Sequence, residues 1–323
     1  APYPGLAEET INLDISLRLR AMLEAAGARV VMVRSTDAEV NDPPSDVTGN
    51  GTIDQWDELA ARVDIGNLAR ADVHVNPHNN ASDCHCASGT GMYTWFGRTW
   101  SPEGIALAQQ ILDAHMRELA PFATANWQPR SRGVIERKFA AVRPYSASNW
   151  PRPSLQPTML GESLFGDSVP EGRFLQTAAV RQAIAVAYYD GLARWFASRT
   201  YGVRYEMLEA PSAAAAGSAV DYRVRLTNNG NSVSDGWTLE ARSVPAVPLY
   251  DGSGLAGDLR GSVAVPDGLA PGESVDLVIP STAPPDAGDW LMKLDITLLG
   301  TDTMAFHGVV SPQLPLVTSL PQP

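Results

Sequence analysis

The spacing of the apolar residues changes at about Thr200, and this change limits the folds open to the chain. Before it, segments with an apolar residue every three or four positions alternate with short apolar runs, which predicts alternating helices and strands. We expect helices at 11–26, from about 101 onward and at 176–197, and strands at 28–33, 90–96 and 133–142. This order is typical of an α/β layer fold, with a mostly parallel sheet flanked by helices.

Beyond Thr200, short runs of alternating apolar and polar residues are separated by Gly, Pro, Asn and Ser. The runs at 220–226 and 274–279 are the clearest, and the pattern predicts a β-sandwich. The Pro-rich tail at 311–323 is interpreted as a linker or an added edge strand. We therefore expect one domain at 1–199, a second at 200–310 and a short tail.

The segment 71–80 is predicted to be a short buried strand that carries His78 at its far end. In an open α/β sheet, ligands and metals collect just past the carboxyl ends of the strands, so His78 is well placed to bind one. His74 lies on the same face of the strand, but four residues along a strand span about 13 Å. His74 therefore cannot share a metal with His78.

The overall charge limits the partners of the chain. The formal net charge is −12, whereas a nucleic-acid partner requires a basic surface. No apolar run approaches the roughly 18 residues of a membrane span. We expect neither nucleic-acid binding nor a membrane span.

The two cysteines, Cys84 and Cys86, flank His85 in a predicted loop. A zinc site at this spacing would need further ligands nearby, and only His78 and His85 are close in sequence. We therefore favour a strained local disulfide or two free thiols over a metal site.

The segment 46–57 carries oxygen-bearing side chains at the spacing of a calcium loop. Gly51 occupies the sixth position, where the chain must turn sharply, and Ile53 the apolar eighth position. The pattern resembles the calcium loops of EF-hand and dockerin segments, and the alternative is an Asx- and Gly-rich hairpin. We expect structural calcium within an insertion at about 42–58, with these ligands: Asp46, Thr48, Asn50, Thr52, Asp54 and Asp57.

Four ordered segments together resemble one enzyme family, and the likeness covers about residues 1–199. They are Glu-Glu-Thr-Ile-Asn-Leu at 8–13, Val-Val-Met-Val-Arg-Ser-Thr-Asp at 30–37, the stretch from Arg62 to Asn80, and Pro-Thr-Met-Leu-Gly-Glu-Ser-Leu-Phe at 157–165. This order is similar to that of the zinc-dependent N-acetylmuramoyl-L-alanine amidases of the Amidase_3 type. Those cell-wall hydrolases cleave the amide between N-acetylmuramic acid and the L-alanine of peptidoglycan.

The resemblance implies roles for three residues. Glu8 and His78 match zinc ligands, and Glu162 matches the catalytic carboxylate. A three-ligand zinc leaves one position open for water, and a nearby carboxylate transfers the proton to the leaving amine. Each residue has a simpler interpretation: Glu8 as a first-turn acid favoured by the helix dipole, with Glu9 able to exchange roles with it, and Glu162 as the partner of an arginine.

The sequence departs from the family pattern at several positions. The family's first zinc ligand is a His in an Asp-Pro-Gly-His-Gly-Gly-like segment that would precede Ala1, and no His precedes His74. Asn76 stands where the family usually has Ser, Pro77 interrupts the strand beside His78, and Gly161 replaces a usual Val. We expect a zinc amidase if the gene product contains the upstream His segment.

The second domain resembles the Ig-like modules appended to secreted bacterial proteins, through Leu-Thr-Asn-Asn-Gly at 226–230, Leu-Ala-Pro-Gly-Glu at 269–273 and Gly-Asp-Trp at 288–290. We thus expect a secreted, extracellular or envelope protein that acts on peptidoglycan. The alternative is a catalytically inactive amidase-like protein that binds the wall or serves in assembly. A terminal strand or the Ig-like module is the candidate surface for self-association.

Overall fold

The computed structural model describes residues 7–146, 150–246, 256–298 and 302–320. The chain divides into two compact units, Ala1–Ala197 and Ser198–Pro323. The first unit mixes helices and strands, and the second consists almost entirely of strands.

The helices and strands of the first unit alternate along the chain. They are α1 (Glu8–Ala25), α2 (Gln55–Leu68), β1 (His74–Asn80), β2 (Thr90–Thr94), α3 (Ser101–Leu119), β3 (Ser131–Glu136), β4 (Thr158–Phe165), α4 (Glu171–Leu175) and α5 (Ala178–Ser198). The predicted helices at 11–26, from 101 and at 176–197 are confirmed as α1, α3 and α5. The helix α1 ends at Ala25, just before the expected stop at Gly27, whose φ of +88° suits glycine.

The four strands of this unit form one mixed sheet in the order β1-β4-β2-β3. β1 is parallel to β4 and β2 is parallel to β3, whereas β2 is antiparallel to β4. His78 of β1 is paired directly with Glu162 of β4. The sheet therefore brings two of the predicted site residues onto neighbouring strands.

One apolar core joins α1, α3 and α5 to the sheet. Its buried members include Ile15, Leu19, Ile111, Met159 and Tyr188. Burying an aliphatic or aromatic side chain contributes about 1.5–3 kcal/mol, so this core holds the three helices against the sheet.

Two strand predictions were wrong. Residues 28–33 are not a strand and Val31 is 45% exposed, because no described strand offers this segment a backbone ladder. The predicted strand 133–142 is only Ser131–Glu136, because its partner β2 ends at Thr94, which pairs with Glu136.

The helix α2 was missed, because the calcium interpretation used its first residues as ligands. Asp54 caps the helix by accepting from the Trp56 N–H, and the Asp57 carboxylate reaches back to the Asp54 N–H at 2.8 Å. This reciprocal arrangement is a capping box, which marks a helix start. The helix then packs Ala60 and Val63 against Trp150.

The second unit is built on one continuous curled sheet. Its strands are β5 (Val203–Glu209), β6 (Ala213–Ala215), β7 (Ala219–Asn228), β8 (Trp237–Pro245), β9 (Asp258–Ala264), β10 (Ser274–Thr282), β11 (Gly288–Leu298), β12 (Asp302–Thr303) and β13 (Gln313–Ser319). They run β5-β7-β10-β9-β8-β11-β13-β6, with β12 beside β11. Alternate residues point into one core, among them Tyr222, Leu239 and Leu294.

The tail of the chain contributes a strand to this sheet. β13 lies between β11 and β6, so within the described residues it is an added strand but not an edge strand. Residues 321–323 of the predicted tail lie outside the described part. Among the described residues, no helix is both long and apolar enough to cross a membrane.

Candidate active site

Glu8 and His78 meet above the carboxyl end of β1. Glu8 lies in the first turn of α1, where an acidic residue is favoured by the helix dipole. The His78 Nδ1 atom lies 3.0 Å from Glu8 Oε1, and both side chains are partly exposed. The two residues therefore form a polar pair that opens to solvent.

Two asparagines hold the Glu8 carboxylate. Asn12, one turn further along α1, donates from Nδ2 to Glu8 Oε1 at 3.0 Å, and the Asn79 N–H donates to the same oxygen at 3.3 Å. Asn79 Nδ2 in turn donates to Asn12 Oδ1 at 2.8 Å. The sequence interpretation gave these asparagines no role, although the four-residue spacing of Glu8 and Asn12 places them on one helix face.

These contacts set the charge of Glu8. Burial raises the pKa of the Glu8 carboxyl, but hydrogen bonds from His78, Asn12 and Asn79 outweigh it and leave the pKa below its ordinary value. Glu8 is therefore ionised at neutral pH. Glu9 is exposed, and its carbonyl accepts from Arg34 at 2.6 Å, so the structure brings Glu8 and not Glu9 to His78.

Glu162 has a different electrostatic environment. Its pKa is raised to about 7, mainly by burial and also by the Glu8 charge, while the nearby His78 acts in the opposite direction. Its Oε2 atom is buried and accepts no hydrogen bond within the described residues. Because no arginine in the described part forms an ion pair with Glu162, the arginine interpretation has no support. A carboxyl poised near neutral pH beside an ionised one suits proton transfer.

The described residues do not contain a complete metal site. No group of three or more His, Cys, Asp or Glu side chains within them could hold a metal ion. Glu8 Oε1 and His78 Nδ1 nonetheless lie 3.0 Å apart. Neighbouring ligand atoms of a tetrahedral zinc with bonds of about 2.0–2.1 Å lie about 3.3 Å apart, so the two spacings are similar. The pair thus fits two of the three ligands that a catalytic zinc requires.

The predicted calcium ligands do not converge in the loop 46–57. Asp46 accepts from the Asn50 and Gly51 N–H groups, and Asn50 Oδ1 accepts from Thr52. Asp57 is fully buried, and its two oxygens accept from the Thr48 and Asp54 N–H groups. Backbone donors therefore close the turn, as in the alternative hairpin interpretation.

The loop after β1 is attached to the end of β4. Cys84 and Cys86 form a disulfide, one of the two favoured interpretations. His85 between them pairs with Asp167 (Nδ1 to Oδ2, 2.9 Å), which also accepts from the Ser82 N–H at 2.8 Å. These contacts fix the loop close to where the strands of the candidate site end.

Buried Glu171 fixes the other side of the β4 end. Its carboxylate accepts from the Phe165 and Gly89 N–H groups at 2.7 and 2.9 Å, and from Trp127 Nε1 at 2.9 Å. Burial raises the pKa of this carboxyl, while the three donors act in the opposite direction. Glu171, which the sequence interpretation missed, joins β4, β2 and the loop after α3.

One family model matches nearly all of the first unit. The family model described as N-acetylmuramoyl-L-alanine amidase matches residues 1–194. The amidase LytC of Bacillus subtilis (strain 168) is 28% identical over 193 residues, which are 59% of this chain and 32% of LytC. The chain therefore spans about a third of the length of this curated relative.

Two similar solved structures are also amidases. AmiC2 of Nostoc punctiforme has a TM-score of 0.46 and 22% identity, over 61% of this chain and 89% of that one. CwlD of Clostridioides difficile, solved in complex with the GerS lipoprotein, has a TM-score of 0.46 and 22% identity, over 60% and 88% of the two chains.

Proposed function

The chain belongs to the N-acetylmuramoyl-L-alanine amidase family, and on this premise we propose that it hydrolyses the amide between N-acetylmuramic acid and L-alanine in peptidoglycan. The observation that carries the proposal is the meeting of Glu8 and His78 beside Glu162 at one end of the sheet. An extracellular or envelope location follows from this substrate. Because the family is zinc-dependent, we interpret Glu8 and His78 as metal ligands and not as an ordinary surface ion pair.

We propose that Glu8 and His78 are two zinc ligands. The third, in the family pattern, is a His in a segment that precedes Glu8. When bound, zinc polarises the amide carbonyl and lowers the pKa of a coordinated water. The ionised state of Glu8 and its asparagine donors prepare this side chain to bind a cation, because the asparagines fix its orientation.

Glu162 would act as the general acid and base. Its pKa of about 7 means that protonated and ionised forms are both well populated at neutral pH. The Glu162 carboxyl group, whose Oε2 atom has no competing hydrogen bond in the described part, would accept a proton from water and donate it to the leaving amine.

The second candidate function is that of an inactive amidase-like protein that binds the wall or assembles with other copies. The observation that favours it is the lack of a third metal-binding side chain among the described residues. Metal analysis of the full-length protein separates the two. About one zinc per chain supports the amidase, and a zinc-free protein that still binds cell walls supports the alternative.

We also propose that calcium binds the loop 46–57, starting from the neighbouring oxygens of Asp46 and Thr48 and drawing the other ligands in, and that the second unit is an appended Ig-like module. Calcium at about 100 times its Kd should raise the free energy of unfolding by about 2.7 kcal/mol. Thermal unfolding with calcium or with a chelator measures this effect, and Asp46→Ala should abolish it. An unchanged melting temperature at millimolar calcium would contradict the proposal.

A further inference from the structure

Gly161, the residue before Glu162, lies against the tyrosine hydroxyl of α5. A Cβ at residue 161 would clash with Tyr188 Oη and would lie 2.9 Å from Met92 Sδ. The Tyr188 side chain is fully buried, and its hydroxyl occupies the space that a larger residue 161 would need. Gly161 and Tyr188 therefore fit only as a pair.

The Tyr188 hydroxyl belongs to a buried hydrogen-bond network beneath Glu162. It donates to the Gly161 carbonyl at 3.2 Å and lies 3.4 Å from Ser163 Oγ. Ser163 Oγ lies 3.2 Å from His115 Nε2, and His115 Nδ1 lies 2.9 Å from the Ile111 carbonyl. A carbonyl only accepts, so Nδ1 carries the proton and Nε2 accepts from Ser163.

This network reaches the backbone of both site strands. The His74 N–H donates to the Pro157 carbonyl at 2.9 Å, and donors recur at every second residue of a parallel ladder. The register from His74 to His78 is unbroken, so the His78 N–H faces the Gly161 carbonyl. Tyr188 therefore donates to the same carbonyl that the ladder assigns to His78.

Side chains alternate along a strand, so Gly161 and Ser163 face α3 and α5, while Glu162 points to the opposite face of the sheet. Tyr188 thus fixes the strand on both sides of Glu162 without touching the reacting groups. We infer that Tyr188 is a positioning residue, which holds His78 and Glu162 in register through the Gly161 carbonyl. The expected effect on catalysis rests on the proposed function, whereas the effect on the strand register does not.

The test compares Tyr188→Phe with two variants of the same helix. Tyr189→Phe removes a hydroxyl from a partly buried neighbour outside this network, and Ile184→Val removes a buried methyl group from the same core. Amide hydrogen exchange, resolved by residue, is measured together with kcat and KM on a muropeptide. Tyr188→Phe should speed exchange of the His78 amide about tenfold relative to the His74 amide. It should also lower kcat about tenfold and leave KM within twofold.

Two results would overturn the inference. One is an unchanged His78 amide in Tyr188→Phe, and the other is an equal loss of kcat in Ile184→Val, which would make the effect one of general stability. If the wild-type protein has no amidase activity, the proposed function fails, but the exchange measurement still decides whether Tyr188 holds the strands.

Discussion

Glu162→Gln is expected to lower the kcat of muropeptide hydrolysis by about 100- to 10,000-fold, the usual contribution of a general acid–base group. Glutamine keeps the size of the side chain but has no titratable oxygen at Oε2. In the described part that atom has no hydrogen-bond partner that could take over the proton transfer. Hydrolysis is measured by the release of stem peptides, at a pH near the Glu162 pKa of about 7.

Glu9→Gln is the matched control for this variant. Glu9 is exposed and is one residue from Glu8, so its replacement should leave both activity and metal content unchanged. Glu8→Gln should instead reduce the zinc content. Full activity in Glu162→Gln, or a loss in Glu9→Gln equal to that in Glu8→Gln, would show that the residues are assigned incorrectly.

Acidification from pH 7 to pH 5 is expected to remove stability that two buried histidines of the first unit contribute, and the raised pKa of Glu162 offsets part of this loss. Burial lowers the pKa of both His74 and His115 to about 4, from an ordinary value of 6.5. The unfolded chain binds protons below pH 6.5 while the folded chain does not, so stability is lost as the pH falls from 6.5 to 4. The complete change amounts to about 3 kcal/mol for each histidine.

His74→Leu separates one of these contributions. Neither ring nitrogen of His74 has a hydrogen-bond partner in the described part, so an apolar side chain of similar size should be tolerated at pH 7. At pH 5 the variant should be more stable than the wild type by about 2 kcal/mol, a value obtained from the same proton linkage. Urea unfolding at both pH values measures the difference, and identical pH dependence in the two proteins would contradict the explanation.

The sequence predicted those parts of the fold that depend on local periodicity and on the order of motifs. The helices α1, α3 and α5 follow from apolar spacing alone. The placement of Glu8, His78 and Glu162 near one another follows from the order of the four motifs. That order matches a family whose sheet brings these segments together, and no single segment would indicate it. In the structure, His78 of β1 is paired with Glu162 of β4, which brings together two residues that the motif order predicted to be close.

The sequence did not predict features that depend on distant partners. Residues 28–33 have a strand pattern, but a strand also requires a neighbour for its backbone groups. Asp57 has the spacing of a calcium ligand, yet the same carboxylate also completes a capping box, and the local pattern cannot separate these uses. The contact between Gly161 and Tyr188 joins residues 27 positions apart, and no local pattern indicates it.

The most direct test of the proposed function is mass spectrometry of peptidoglycan fragments after incubation with the full-length protein and zinc. The proposal predicts intact glycan strands with free lactyl carboxyl groups, together with stem peptides that begin at a free L-alanine amine. Both products should disappear in Glu162→Gln. Undigested muropeptides after incubation with zinc-loaded wild-type protein, or cleavage at any other bond, would contradict it.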